Sequence, residues 1–355
     1  MGDLLVRGMH GLGDNLHQRA VLRALQKRGH QITLETSWPC VYADIPDIRF
    51  VRRPVALRTQ LKNAEREAAK FVPGPAPHHP VAQTGVAYNR NTVGQGTILQ
   101  AMFKHVGIPD DYAQADFSYH ALPEGWEAPT LPTDKPVMVY RPLVVRPEWR
   151  GSGIRNANPD QYAELVALIR DAFFVVSVAD LEPNREWIVG PRLIPDMAFE
   201  HGELPFESLA ALFKRASLVF TSSGFPAILG PAVGTPTICV QGGFEPASWH
   251  ADGGRFAPYL GIDTLSPCVC ATSACTRPCP KTINMAAASA ALRDFTAGLG
   301  FSPPAESRPL TEIFSPAAPT PRPTPPPVPR IMPRITKPVR PGHPSLLNRR
   351  PPVRA

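Results

Sequence analysis

The chain has 355 residues, enough for two folded domains and an additional segment, and its hydrophobic content of 43% is sufficient to build ordinary cores. No apolar run approaches the ~18 residues that a membrane-spanning helix requires. The N-terminus, MGDLLVRG, lacks the charged and apolar regions of a secretory signal peptide. The sequence therefore predicts a cytoplasmic protein without a transmembrane segment.

The first third of the chain begins with a strand, a glycine turn, a helix and a second strand. DLLVRG reads as the first strand, NLHQRAVLRALQKRG as the helix and HQITLET as the second strand. Leu16, Ala20 and Leu25 form a helical apolar stripe, and Gly29 ends the helix. A β-α-β unit of this length predicts a parallel sheet with a right-handed crossover. A charged helical segment, LKNAEREAAKF, and a helix near Gly96–Val106 follow.

The same alternation begins again after a proline-rich segment, LPEGWEAPTLPTDK, which we interpret as a linker. Strands alternate with helices in the order PVMVYRP, DQYAELVALIRD, AFFVVSVAD, PFESLAALFKRA, SLVFTS, FPAILGPAV and TPTICVQGG. The pattern predicts the α/β class, with two Rossmann-like doubly wound domains facing each other across a cleft. We place the domains at residues 1–121 and 136–302, with the linker at 122–135.

The C-terminal segment from Pro303 onward differs from the rest in composition. It contains 17 of the 44 proline residues, nine Lys or Arg and two Glu. Its excess of seven positive charges equals the net charge of the whole chain, +7, so the remainder is close to neutral. Because such a composition cannot bury a core, we predict a disordered basic tail at 303–355. The tail is either a solvated segment or an arm that contacts nucleic acid or an anionic surface.

The first glycine turn indicates a site for chemistry at the start of a helix. Gly11 and Gly13 allow backbone N–H groups to approach an anion there, and Glu35 lies where a dinucleotide fold has its ribose-binding acid. However, Leu16 occupies the position of the third glycine in that fingerprint, which makes an NAD(P)-dependent oxidoreductase the weaker alternative. Asp14 would repel a pyrophosphate, so it is either a helix cap or a base that takes a proton from a hydroxyl.

Two separated segments resemble glycosyltransferase family 9, the heptosyltransferase-like enzymes. GLGDNLHQRAVLRAL resembles the N-terminal signature of that family, and SGFPAILGPAVGTPTICVQGGFEPASW resembles its sugar-nucleotide segment; LPFESLAALFKRASLVFTSSG precedes the latter in the same order. The resemblance implies the GT-B architecture of two Rossmann-like domains. It also implies an inverting, metal-independent transfer of a sugar, with the donor bound mainly on the second domain.

The resemblance also implies roles for individual residues. Asp14 matches the catalytic aspartate, with Gly11 and Gly13 forming its turn. The candidate donor-binding residues are Arg155, Ser222, Ser223, Gly224, Gly242 and Gly243. Arg155 is preferred over Arg141, Arg146 and Arg150 as the basic phosphate contact because it lies just ahead of Asn158-Pro159.

The chain departs from the family at two positions near the donor site. Ser222 and Ser223 stand where the family usually has an acidic residue, and Ala227 stands near its usual histidine. The implied donor is ADP-heptose or another nucleotide sugar, and the acceptor is a saccharide or another hydroxyl compound. The departures leave open a degenerate, non-catalytic protein that binds a nucleotide-sugar-like ligand.

Four cysteines are clustered near the end of the second predicted domain: Cys268, Cys270, Cys275 and Cys279. In a cytoplasmic protein, four clustered cysteines indicate a metal site more readily than disulfide bonds. The C-x-C-x₄-C-x₃-C spacing is compatible with a tetrahedral structural zinc, and free or redox-active thiols are the alternative. The transfer reaction itself is expected to need no cofactor.

Overall fold

A computed structural model of the chain describes residues 2–55, 57–74, 81–119, 121–146, 155–267, 279–301 and 308–315. These residues contain two parallel sheets flanked by helices, which confirms the predicted α/β class. Both sheets belong to one compact unit. No helix within the described ranges is long and apolar enough to cross a membrane.

The first sheet has four parallel strands in the order β3-β2-β1-β4. Its strands are β1 (Asp3–Arg7), β2 (Gln31–Thr36), β3 (Ile48–Arg52) and β4 (Ala82–Gly85). The associated helices are α1 (Leu12–Lys27), α2 (Arg58–Arg66), α3 (Arg90–Val93) and α4 (Ile98–Val106). The predicted strand-turn-helix-strand unit at the N-terminus is confirmed, with β1 and β2 paired in parallel from Asp3–Gln31 to Arg7–Glu35.

The second sheet has six parallel strands in the order β10-β7-β5-β11-β12-β13. Its strands are β5 (Val137–Tyr140), β7 (Phe174–Val178), β10 (Met197–Phe199), β11 (Leu218–Ser222), β12 (Thr237–Val240) and β13 (Tyr259–Ile262). The helices of this half are α5 (Pro159–Ala167), α6 (Phe206–Arg215), α7 (Pro226–Ala232) and α8 (Met285–Gly298). The short strands β6 (Val144–Val145) and β8 (Trp187–Ile188) pair antiparallel outside the sheet.

Alternation along β5 shows how the second sheet is buried on both faces. Val137 and Val139 belong to a core that continues into the first half of the chain, whereas Met138 and Tyr140 belong to a core on the opposite face. Side chains of consecutive strand residues point to opposite faces, so a strand buried on both sides reads as a continuous apolar run. This explains why PVMVYRP is recognisable as a strand from its sequence.

Residues 308–315 do not follow the prediction of a disordered tail from residue 303. They form the short helix α9 (Leu310–Ile313) and the strand β14 (Phe314–Ser315), which pairs antiparallel with β9 (Arg192–Leu193). Ile313 and Phe314 are buried in the core of the second half. The sequence did not indicate these elements because Ile313 and Phe314 are only two apolar residues within a proline-rich segment. The remainder of the predicted tail, 316–355, lies outside the described residues.

Candidate functional site

The carboxyl ends of strands from both sheets open onto one cavity of about 430 Å³. In open α/β sheets, ligands collect at this edge. Predicted residues from both halves line the cavity: Gly11, Gly13, Asp14, Arg155, Ser222, Ser223 and Gly224. The alternative ribose-binding acid, Glu35, is not part of the lining. The structure therefore brings together the N-terminal turn and the second turn, which are separated by about two hundred residues of chain.

Asp14 lies in the first turn of α1, with its carboxylate partly exposed to the cavity. It does not cap the helix, because no side chain forms a cap hydrogen bond at Gly11. The Nδ2 group of Asn15 instead donates to the carbonyls of Met9 and Gly11, at 2.9 and 2.7 Å. A Cβ atom at Gly11 would lie 2.6 Å from Oδ2 of Asp14, so the glycine makes room for the carboxylate.

The surroundings of Asp14 favour protonation of its carboxylate more than water favours protonation of an exposed aspartate. Burial raises the pKa of Asp14, and this effect exceeds the opposing effects of the Tyr88 hydrogen bond and the Arg155 charge. The Tyr88 hydroxyl donates to Oδ1 of Asp14 at 2.8 Å. A carboxylate with a raised pKa is a better proton acceptor, which suits a general base.

Arg155 also lines the cavity and is held on both its backbone and its side chain. The hydroxyl of Ser222 donates to the carbonyl of Arg155 at 3.1 Å. A Cβ atom at Gly242 would lie 2.5 Å from that same carbonyl oxygen, so a glycine is required for this close approach. The guanidinium forms an ion pair with Glu245 at 2.8 Å, and the side chain of Arg155 is 45% exposed. It is therefore positioned and still accessible to an anionic ligand.

The turn after β11 has the geometry expected of a glycine turn, but its two hydroxyls do not point freely into the cavity. Gly224 has φ +150°, in the region that favours glycine. The Ser223 hydroxyl donates to Oε1 of Gln241, while that of Ser222 bonds Arg155 as described above. Both serines shape this wall through contacts within the protein. Gly243, on the neighbouring strand end, has φ +85°.

The two halves of the chain meet closely where α1 and α7 begin. A Cβ atom at Gly13 would lie 3.2 Å from Cα of Phe225, just ahead of α7. One helical turn further along α1, the ring of His17 stacks on that of His250 with centroids 6.4 Å apart. Glycine at position 13 thus allows the Asp14 turn to approach the second half.

Sequence reasoning did not identify three residues that line this cavity: Tyr88, Glu245 and His250. Nε2 of His250 lies 3.4 Å from Oε2 of Glu245, whose other oxygen contacts Arg155. The side chain of Glu245 would have a raised pKa from burial alone, but Arg155 and His250 outweigh that effect and leave the pKa of Glu245 below its ordinary value. Glu245 follows the Gly242–Gly243 turn by two positions, within the segment that the sequence indicated as part of the donor site.

Two of the other candidate arginines, Arg141 and Arg146, also line the cavity but pair with a different carboxylate. Arg141 and Arg146 form ion pairs with Glu186 at 2.8 and 2.6 Å, and Arg58 from α2 contacts the same carboxylate at 3.4 Å. Glu186 has a fully buried side chain, so the charges around it are needed to compensate its burial. Arg150 lies outside the described residues.

Three of the four clustered cysteines, Cys268, Cys270 and Cys275, lie outside the described residues, and Cys279 is an exposed free thiol. Cys40 and Cys239 are buried free thiols. Among the described residues, no group of three or more His, Cys, Asp or Glu side chains has a geometry that could hold a metal ion. The prediction of a structural zinc at this cluster therefore remains a prediction.

Solved structures share the fold at low sequence identity. A glycosyltransferase of family 9 from Veillonella parvula aligns with a TM-score of 0.53 and 14% identity, covering 84% of this chain and 98% of that chain. The iron-containing dodecameric glycosyltransferase TibC from enterotoxigenic E. coli aligns with a TM-score of 0.51 and 13% identity, covering 84% of this chain and 76% of that chain. A further structure of TibC, a heptosyltransferase, contains ADP-D-beta-D-heptose.

No family model and no curated protein sequence matches the chain. The resemblance to glycosyltransferase family 9 is confirmed at the level of the fold, on two parallel α/β sheets whose strand ends face one cavity. The chain therefore has the GT-B fold of these heptosyltransferase-like glycosyltransferases.

Proposed function

We propose that the protein is a glycosyltransferase that moves a sugar from a nucleotide-sugar donor to a hydroxyl acceptor. The observation that carries this proposal is the placement of both Asp14 and Arg155 in the lining of one cavity in a GT-B fold. Asp14 offers a proton acceptor with a raised pKa, and Arg155 offers an accessible positive charge. A transfer of this kind needs both groups at once.

Asp14 is the general base of the proposed reaction. It takes the proton of the acceptor hydroxyl as the acceptor oxygen forms a bond to the anomeric carbon of the sugar. The bond between that carbon and the diphosphate oxygen breaks, and its electron pair leaves with the nucleoside diphosphate. Attack from the Asp14 side in a single displacement inverts the anomeric centre. Tyr88 keeps the carboxylate oriented through its hydrogen bond to Oδ1.

Arg155 stabilises the leaving group. Negative charge grows on the diphosphate as the bond to the sugar breaks, so a fixed positive charge there stabilises the transition state more than the bound donor. The guanidinium is pre-positioned by Glu245, Ser222 and the close approach of Gly242. With this charge supplied by the protein, the proposed transfer does not depend on a divalent cation.

ADP-heptose is the first donor to test, because TibC shares the fold and was solved with ADP-D-beta-D-heptose. The acceptor belongs to the class of saccharides or other hydroxyl compounds. We place the reaction in the cytoplasm, as the sequence predicts.

Isothermal titration tests the proposal with ADP, UDP and GDP, each paired with one of its sugar derivatives, and with NADH. Binding of one diphosphate and its sugar nucleotide, weakened at least tenfold by Arg155→Gln, is the expected result. NADH binding in their place would favour the oxidoreductase alternative. Donor binding with no sugar release to any hydroxyl acceptor, including water, would favour the degenerate binding protein.

A further inference from the structure

His250 is a buried polar side chain without hydrogen-bond partners. Only 4% of the residue is exposed, and neither ring nitrogen has a partner with hydrogen-bond geometry. Nε2 contacts Oε2 of Glu245 at 3.4 Å, whereas Nδ1 has no partner among the described residues. Buried polar groups in folded proteins are nearly always hydrogen-bonded, so an unsatisfied ring at the wall of a cavity indicates a group supplied by a ligand.

Glu245 and His250 belong to the side of the cavity where Asp14 lies. His17 follows Asp14 by three residues on α1, which places both on one face of that helix. His250 stacks on His17, and the charges of Glu245 and His250 both act on the pKa of Asp14. Glu245 and His250 are therefore close to the proposed base, where the acceptor attacks the anomeric carbon, and not at the nucleoside end of the donor.

The chemistry of the pair suits hydroxyl groups and not phosphate. An ionised carboxylate only accepts hydrogen bonds, and an imidazole ring can donate from a ring nitrogen. The lowered pKa of Glu245 keeps it ionised, and its charge would repel a phosphate directly in contact with it. Arg155 lies between this carboxylate and an anionic ligand, so the diphosphate has its own partner.

Glu245 and His250 bring a carboxylate and an imidazole together at the lining of the cavity. Ser222 lines the cavity at the end of β11 and Ala227 lies in α7, and neither carries a carboxylate or a ring. The hydroxyls of Ser222 and Ser223 already donate within the protein. Glu245 and His250 both line the cavity and offer polar atoms to a polyhydroxylated ligand.

We propose that Glu245 and His250 form the subsite for the transferred sugar, binding its hydroxyl groups next to the anomeric carbon. This inference rests on the proposed function and specifies how its donor is recognised. Glu245 links the two parts of the donor, because one oxygen positions the arginine that faces the diphosphate and the other faces the sugar together with His250. Sugar specificity then depends on residues 245 and 250, and nucleotide affinity depends on other contacts.

The experiment compares the affinity for a nucleoside diphosphate with that for its sugar derivative, using the pair that the wild-type protein binds in the titrations above. His250→Phe keeps the stacked ring and removes both nitrogens, and Glu245→Gln keeps the shape and removes the charge. We expect each variant to reduce the ratio of sugar-nucleotide to diphosphate affinity by about tenfold, as expected for the loss of one hydrogen bond to the sugar. His250→Phe should leave the diphosphate affinity unchanged.

Glu200→Gln is the matched control, because Glu200 is also a buried carboxylate paired with an arginine, Arg192, and it does not line the cavity. It should leave the affinity ratio at the wild-type value. An unchanged ratio in both variants would overturn the sugar subsite and leave the proposed function intact. An equal loss of diphosphate and sugar-nucleotide affinity in His250→Phe would overturn it too, because the pair would then contact the nucleoside. Absence of all binding by the wild-type protein would overturn the proposed function and this inference together.

Discussion

Replacing Asp14 with asparagine separates its role in proton transfer from any role in stability. The asparagine Oδ1 can still accept the hydrogen bond from the Tyr88 hydroxyl, which is 2.8 Å long in the protein. The substitution preserves the shape of the side chain and removes its ability to accept a proton. We expect kcat to fall by ~10²–10⁴-fold, the range for loss of a general base.

The stability of this variant should not fall. Because burial raises the pKa of Asp14 in the folded state, its ionisation at neutral pH costs folding free energy, and a neutral amide relieves that cost. We expect the Tm of Asp14→Asn at pH 7 to equal or exceed that of the wild type in calorimetry. A wild-type kcat in the variant would refute the assignment as base, and a large loss of Tm would instead support a structural role.

The remaining predictions concern acid stability and the C-terminal segment. Burial, with a smaller effect of His250, lowers the pKa of His17 from its ordinary value of 6.5 to about 3. Between these two pH values the ring is neutral in the folded protein and protonated in the unfolded chain. Stability should therefore be lost as the pH falls from 6.5 towards 3, by up to about 1.4 kcal/mol per pH unit; urea unfolding of His17→Phe should show a shallower slope, and an unchanged slope would contradict the assignment. Truncation after residue 301 should lower the free energy of unfolding by about 3–6 kcal/mol, because it removes the buried Ile313 and Phe314. Truncation after residue 315 should leave it unchanged, and equal stability of the two truncated chains would show that α9 and β14 contribute nothing.

The sequence predicts most of the sheet framework because the relevant signals are local. The helix after Asn158 begins as expected, with the asparagine side chain accepting from the N–H groups of Asp160 and Gln161. Strands such as β4, with the sequence AQTG, were not predicted because four residues without alternating hydrophobicity carry no periodic signal. Its place at the sheet edge is determined by pairing with β1.

The candidate site was predicted only where residues of the site are close to a recognisable turn. Asp14 follows the first glycine turn and Arg155 lies just ahead of the helix start at Asn158-Pro159, so the sequence and its family resemblance indicated both. Tyr88 is 74 positions from Asp14, and His250 makes its significant contact with His17 on the other half of the chain. Contacts of that kind arise from tertiary packing, which no local pattern encodes. A histidine judged in isolation is therefore expected to be structural, although here its ring faces the cavity.

The two carboxylates of the cavity have environments that shift their pKa values in opposite directions. Burial raises the pKa of Asp14, and neither Tyr88 nor Arg155 compensates fully. Burial acts in the same direction on Glu245, but Arg155 and His250 more than compensate and lower its pKa. When the environment shifts the pKa values of two neighbouring titratable groups apart, the two groups are suited to different roles in catalysis. Asp14 is the group suited to receive a proton during a reaction, and Glu245 is the group suited to remain charged throughout it and hold its partners in place.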